Sequence, residues 1–110
     1  MLFSDFAEMS SVRHICGPEA IEYNGVYVGD LLSRAMGRIE AGNLWITIMN
    51  NINVIAVSSL ADASAVILAE HVLPTDDAIS AAQEKGISVY STPLSAYELC
   101  RVLAHLNAAV

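Results

Sequence analysis

Charge is what this sequence has least of. Of its 110 residues, 15% are charged, and five Lys and Arg stand against twelve Asp and Glu, for a formal net charge of −7. So few cations provide no electrostatic footprint for nucleic acid or for an anionic membrane surface. Cysteine is scarce too. Cys16 and Cys100 form neither a disulfide framework nor a C-x-x-C zinc spacing, which leads us to expect reduced thiols and a cytoplasmic setting. Long apolar runs are missing: the longest, Ala65–Ala69, is far short of the ~20 residues that span a bilayer. The start, MLFSDFAEMS, carries Asp5 and Glu8 and has no basic stretch before an apolar core, so a signal peptide is not expected.

What is present is apolar. Hydrophobic residues make up 55% of the chain, above the usual ~45–50%. That excess excludes intrinsic disorder and predicts a single globular domain over residues 1–110. A domain of this size buries only roughly 60–68% of its unfolded surface. Some apolar surface is therefore expected to need a partner.

The elements follow from local signals. Leu44–Met49, Ala65–Ala69 and Ile87–Ser91 are short apolar runs without clean alternation, as expected for strands covered on both faces of a parallel sheet. Val12–Cys16 and Gly25–Gly29 read as further strands, and Phe3–Met9 as a short helix. Asp30 is placed to cap a helix over Leu31–Ile39. Thr75 is placed to cap one that opens on Asp76 and Asp77 and ends at Gly86. Thr92 with Pro93 is predicted to open the last helix, where Ala96, Leu99, Leu103 and Leu106 form an apolar stripe. Val54–Val57 has no decisive period, but a helix there supplies the crossover that two parallel strands require. The order α-β-β-α-β-α-β-α-β-α predicts an α/β fold, a three-layer α/β/α arrangement with a mostly parallel sheet.

Three segments resemble one family in order and spacing. They are Val26-Tyr27-Val28-Gly29-Asp30-Leu31-Leu32-Ser33, Gly42-Asn43-Leu44-Trp45-Ile46-Thr47-Ile48 and Ile87 through Leu99. Together they are similar to the DRTGG domain, over roughly Phe3 to Leu106. The family resembles the N-terminal domain of HPr kinase/phosphorylase. It also stands beside CBS domains in nucleotide-regulated pyrophosphatases and at the front of some phosphate acetyltransferases. The resemblance implies an accessory, regulatory or dimer-forming module. One element departs from the family pattern: after the middle strand the sequence reads Ala69-Glu70-His71 in place of Thr-Gly-Gly. Glycines there would permit positive φ or close approach of a ligand.

Kinase chemistry is not expected. The chain has no G-x-x-x-x-G-K-[ST], its single lysine is Lys85, and its six glycines never cluster. No catalytic residue, cofactor or metal is assigned. His14 and Cys16, alternate on a strand, would share a face but lack further ligands. Asp76 and Asp77 diverge by about 100° on a helix and cannot act on one bond as a pair. Ligands of open α/β sheets sit outside the carboxyl ends of strands, where this chain places Asp30, Thr47, Asn50, Asn51, Glu70, His71, Ser91 and Thr92. Ser91 and Thr92 are expected either to meet a small anion or nucleotide at a helix start or simply to cap it. Asn50-Asn51 reads as a turn and cap as readily as a site.

The apolar excess centres on Ile52–Leu60, whose only hydroxyls are Ser58 and Ser59 and which has no charge. A helix apolar nearly all round is covered on both sides. The second cover is either the domain's own layers or another copy, and a homodimer is predicted. The first reading is thus a non-catalytic regulatory or dimerisation module. The alternative is a small-ligand sensor at the strand ends.

Overall fold

The computed structural model describes residues 11–19 and 21–108, the last three as backbone alone. The expected helix Phe3–Met9 and the Leu106 side chain lie outside that description. Five strands, β1 (Arg13–Cys16), β2 (Gly25–Val28), β3 (Asn43–Thr47), β4 (Ala65–Leu68) and β5 (Ser88–Ser91), form one sheet in the order β1-β5-β4-β3-β2. The last four run parallel, and β1 pairs antiparallel with β5 at the edge. Four helices accompany them: α1 (Leu32–Arg38), α2 (Ile52–Ala61), α3 (Asp76–Lys85) and α4 (Ala96–Ala108).

The continuous apolar runs are explained by burial on both faces. β3, β4 and β5 alternate Leu44, Ile46, Ala65, Ile67 and Tyr90 toward one face with Trp45, Val66, Leu68 and Val89 toward the other. The second face is covered by α1, α2 and α3, through residues such as Ala35, Val54, Ile55, Val57, Ala78 and Ala82. The first is covered by Leu99 and Leu103 of α4, with Tyr23 and Val12. The result is a three-layer α/β/α arrangement, as the element order predicts.

The helix over the uncertain segment is α2, and its apolar girth has an internal cause. It packs between α1 and α3 as well as on the sheet, so neighbours of the same chain cover both flanks. Only its outward edge stays open, with Leu60 75% and Ile52 43% exposed. Much of the cover assigned to a second copy is therefore supplied from within the chain.

Several caps differ from expectation. Asp30 does not cap α1: Leu31 holds the N-cap position and makes no side-chain cap bond. Thr75 stands at the N-cap of α3 but turns its hydroxyl to the Asp77 carboxylate. Thr92-Pro93 precedes α4 rather than opening it. That helix begins after Ser95, whose hydroxyl accepts from Glu98 N–H at 3.1 Å while the Glu98 carboxylate accepts from Ser95 N–H at 3.0 Å. This reciprocal pair is a capping box, written in the sequence as Ser95-x-x-Glu98. Asn51 does cap α2, its side chain accepting from Asn53 N–H.

His14 and Cys16 do not share a face. A register shift between them pairs His14 with Tyr90 and Cys16 with Val89. A bulge of this kind breaks the two-residue alternation. The His14 ring meets Tyr90 edge-on at 5.3 Å, whereas Cys16 enters the opposite core layer.

Candidate functional site

The route of the chain creates one crevice at the carboxyl end of the sheet. From β2 to β5 it advances one strand at a time with α1, α2 and α3 all on one face. After β5 it turns to α4 on the other face. The loops leaving β4 and β5 therefore diverge, and such a point is where open α/β sheets receive ligands. Here a cavity of about 270 Å³ is lined by Ser11, Arg13, His71, Leu73, Ser91, Thr92 and Pro93.

Three chain segments meet in it. Arg13 arrives from β1, which runs against the other strands, so its amino end lies beside their carboxyl ends. Arg13 pairs with Ser91 in the sheet register. His71 comes from the turn after β4, where Glu70 and His71 hold left-handed backbone angles, φ 58° and 65°. Side chains rarely adopt these angles in succession. The turn is held by donation from Glu70 N–H to the Leu94 carbonyl and from His71 N–H to the Thr92 carbonyl, both at 2.9 Å. Glu70 and His71 thus keep a backbone path that glycine adopts most readily. The path turns His71 to the cavity.

Ser91 and Thr92 are buried, and both side chains serve the scaffold. The Ser91 hydroxyl donates to the Val72 carbonyl at 2.7 Å, and Thr92 Oγ1 accepts from Leu94 N–H at 3.2 Å. The anticipated contact at a helix start is corrected here, because α4 begins at Ala96. Arg13 and His71 are the side chains left to meet an anion, with the Ser11 hydroxyl beside them. Among the described residues the single ion pair is His14 with Glu19, and none of their carboxylates pairs with Arg13.

The other anticipated residues occupy neighbouring loops. Asp30 Oδ1 accepts from the Thr47 hydroxyl at 2.7 Å and from Ile48 N–H at 3.0 Å, clamping the loops after β2 and β3. Asn50 donates its side-chain amide to the Leu73 carbonyl at 2.7 Å, joining the loops after β3 and β4. Neither Asp30, Thr47, Asn50, Asn51 nor Glu70 lines the cavity. Arg13 escaped sequence reasoning because carboxyl ends were sought on parallel strands, and nothing local marks β1 as antiparallel.

A second concavity, about 370 Å³, lies along α4 between Leu94, Glu98, Arg101, Val102 and His105. Its cation is already engaged: Arg101 sits 5.8 Å from the Tyr97 ring and beside the Glu98 charge. The two thiols are not reactive centres. Burial pushes the pKa of both Cys16 and Cys100 up, favouring the thiol.

Fold and crevice define an α/β domain with a small cation-bearing cavity at its strand ends. The DRTGG domain model matches residues 6–106, and the chain belongs to that family. The fold is similar to the crystal structure of the CBS and DRTGG domains of the regulatory region of Clostridium perfringens pyrophosphatase, complexed with the activator diadenosine tetraphosphate. The TM-score is 0.74 at 17% identity, over 89% of this chain and 44% of that one. This chain thus spans less than half of that regulatory region. No curated protein matched the sequence.

Proposed function

We propose that the domain is a non-catalytic regulatory module that senses a small phosphate-bearing anion, such as a nucleotide, in the cavity between β4 and β5. We propose further that it works as a homodimer. One observation carries the ligand reading: Arg13, His71 and Ser11 converge on a cavity whose other polar groups are already bonded to the scaffold. A guanidinium offers paired donors to phosphate or carboxylate oxygens. Leu73 and Pro93 provide apolar wall for the rest of a ligand. The similar fold in a pyrophosphatase regulatory region complexed with a nucleotide activator supports the same class of ligand.

The non-catalytic reading rests on the same residues. Acyl or phosphoryl transfer needs a nucleophile beside a base, or a cationic cradle around a phosphate chain. Here the Ser91 hydroxyl is committed to Val72, and the chain contains no phosphate-binding loop. HPr kinase activity is therefore not carried over, and the likeness to that enzyme extends to its accessory domain alone.

Thermal denaturation with orthophosphate, AMP and ATP tests the ligand reading. At about 100-fold excess over Kd, binding to the native state adds roughly 2.7 kcal/mol, and the midpoint rises accordingly. Unchanged midpoints with all three ligands defeat it.

A further inference from the structure

We propose that the face formed by α1, α2 and α3 is the homodimer interface, with α1 of one copy lying over α3 of the other. This deepens the homodimer reading and rests on it. The central helix of the face, Ile52–Ala61, carries no charge, and its outward edge leaves Leu60 75% and Ile52 43% exposed. Met36 of α1 adds a side chain 51% exposed. Exposed apolar surface rimmed by polar residues marks interaction sites.

The flanks differ in sign. α1 bears Arg34 and Arg38, both exposed, and no acid. α3 bears Asp76, Asp77 and Glu84, all exposed, with Lys85 at its end. No ion pair among the described residues involves any of these groups. Two of the five cations in a chain of net charge −7 are thus gathered on one side of a neutral strip, with three acids on the other.

That pattern is complementary to itself. When two such faces meet about a two-fold axis parallel to α2, the helices run parallel, α2 meets α2, and each α1 meets the partner's α3. An axis across the helices instead sets α1 on α1 and α3 on α3, cation on cation and acid on acid. Charge selects the first arrangement. Height along the helices agrees. At a rise of ~1.5 Å per residue, Arg34 and Asp77 lie about 3 and 1.5 Å from the first residues of their helices, and Arg38 and Glu84 about 9 and 12 Å. A partner of uniform charge would satisfy only one flank, whereas a second copy satisfies both.

Sedimentation of the wild type, Arg38→Glu, Glu84→Arg and the double variant tests the proposal. The wild type is expected to sediment as a dimer. Each single reversal weakens it roughly tenfold, since a two-fold interface carries every pair twice, and the double variant restores the wild-type constant. Arg34→Glu with Asp77→Lys repeats the cycle, and circular dichroism checks the fold. A wild-type dimer indifferent to single reversals, or a double variant that is not restored, overturns this face while leaving the homodimer intact. A monomeric wild type overturns both.

Discussion

Arg13 stands directly opposite Ser91 in the antiparallel pairing of β1 with β5. One reversed edge strand thereby delivers a cation to the carboxyl ends of the parallel strands. The cavity depends on that reversal. Beside it, the turn after β4 and the turn after β5 are tied by backbone bonds from Glu70 to Leu94 and from His71 to Thr92, so His71 is presented on a fixed support.

The support carries conformational strain, which gives the first prediction. Glu70 has φ 58°, and a left-handed L-residue costs roughly 1–2 kcal/mol. Glycine there relieves that cost and gives back about 0.4–1 kcal/mol as unfolded-state freedom. Glu70→Gly is therefore expected to stabilise the domain by about 0.5–1 kcal/mol in urea denaturation. Glu70→Val should destabilise it, since a branched side chain fits that conformation worst.

Two glycines with positive φ should respond very differently to alanine. At Gly17 a Cβ would lie 2.1 Å from the Ile87 carbonyl oxygen and 2.6 Å from its carbon, both backbone atoms that cannot step aside. Gly17→Ala should cost about 3 kcal/mol or more, by parting β1 from the entry to β5. At Gly86, φ +69°, nothing lies within 4 Å. Gly86→Ala should cost only about 1 kcal/mol, the conformational term alone. Similar losses in the two denaturation curves would contradict the close approach at Gly17.

The capping box of α4 predicts a pH dependence. Hydrogen bonds from the Ser95 backbone and then its hydroxyl hold the Glu98 carboxyl below its ordinary range, with Arg101 adding to the effect. A carboxyl lowered in the native state stabilises the fold above its unfolded value, and that contribution disappears as falling pH protonates it. Glu98→Gln should thus lower the urea midpoint near neutrality and have little effect once the pH is below the lowered native value. Ser95→Ala should cost about 1 kcal/mol near neutrality.

Legibility in the sequence followed the physics of each feature. Strands such as Ala65–Leu68 were evident because burial on both faces demands continuous apolar side chains, and Gly86 marked the end of α3 through its left-handed cap. Thr75 marked the start of α3, though its hydroxyl bonds Asp77; Asp30 and Thr92 misled because short polar side chains bond turns and loops as readily as helix ends. Asp30 joins two loops distant in sequence, a partnership that only the fold creates. Of the residues lining the cavity, His71, Ser91 and Thr92 were accessible from strand-end reasoning. Arg13 required knowing that β1 is reversed, which no local pattern encodes.

A nitrogen-15 NMR titration with AMP shows most directly where an anion binds. The amide signals of Arg13, His71, Ser91 and Thr92 are expected to move together and saturate. Arg13→Ala is expected to bind at least roughly tenfold more weakly, the loss that follows when one charge-assisted hydrogen-bonding partner is removed. No saturable movement with the wild type, or movement confined to the opposite end of the sheet around Glu22, Asn24 and Gly42, would contradict binding in this cavity.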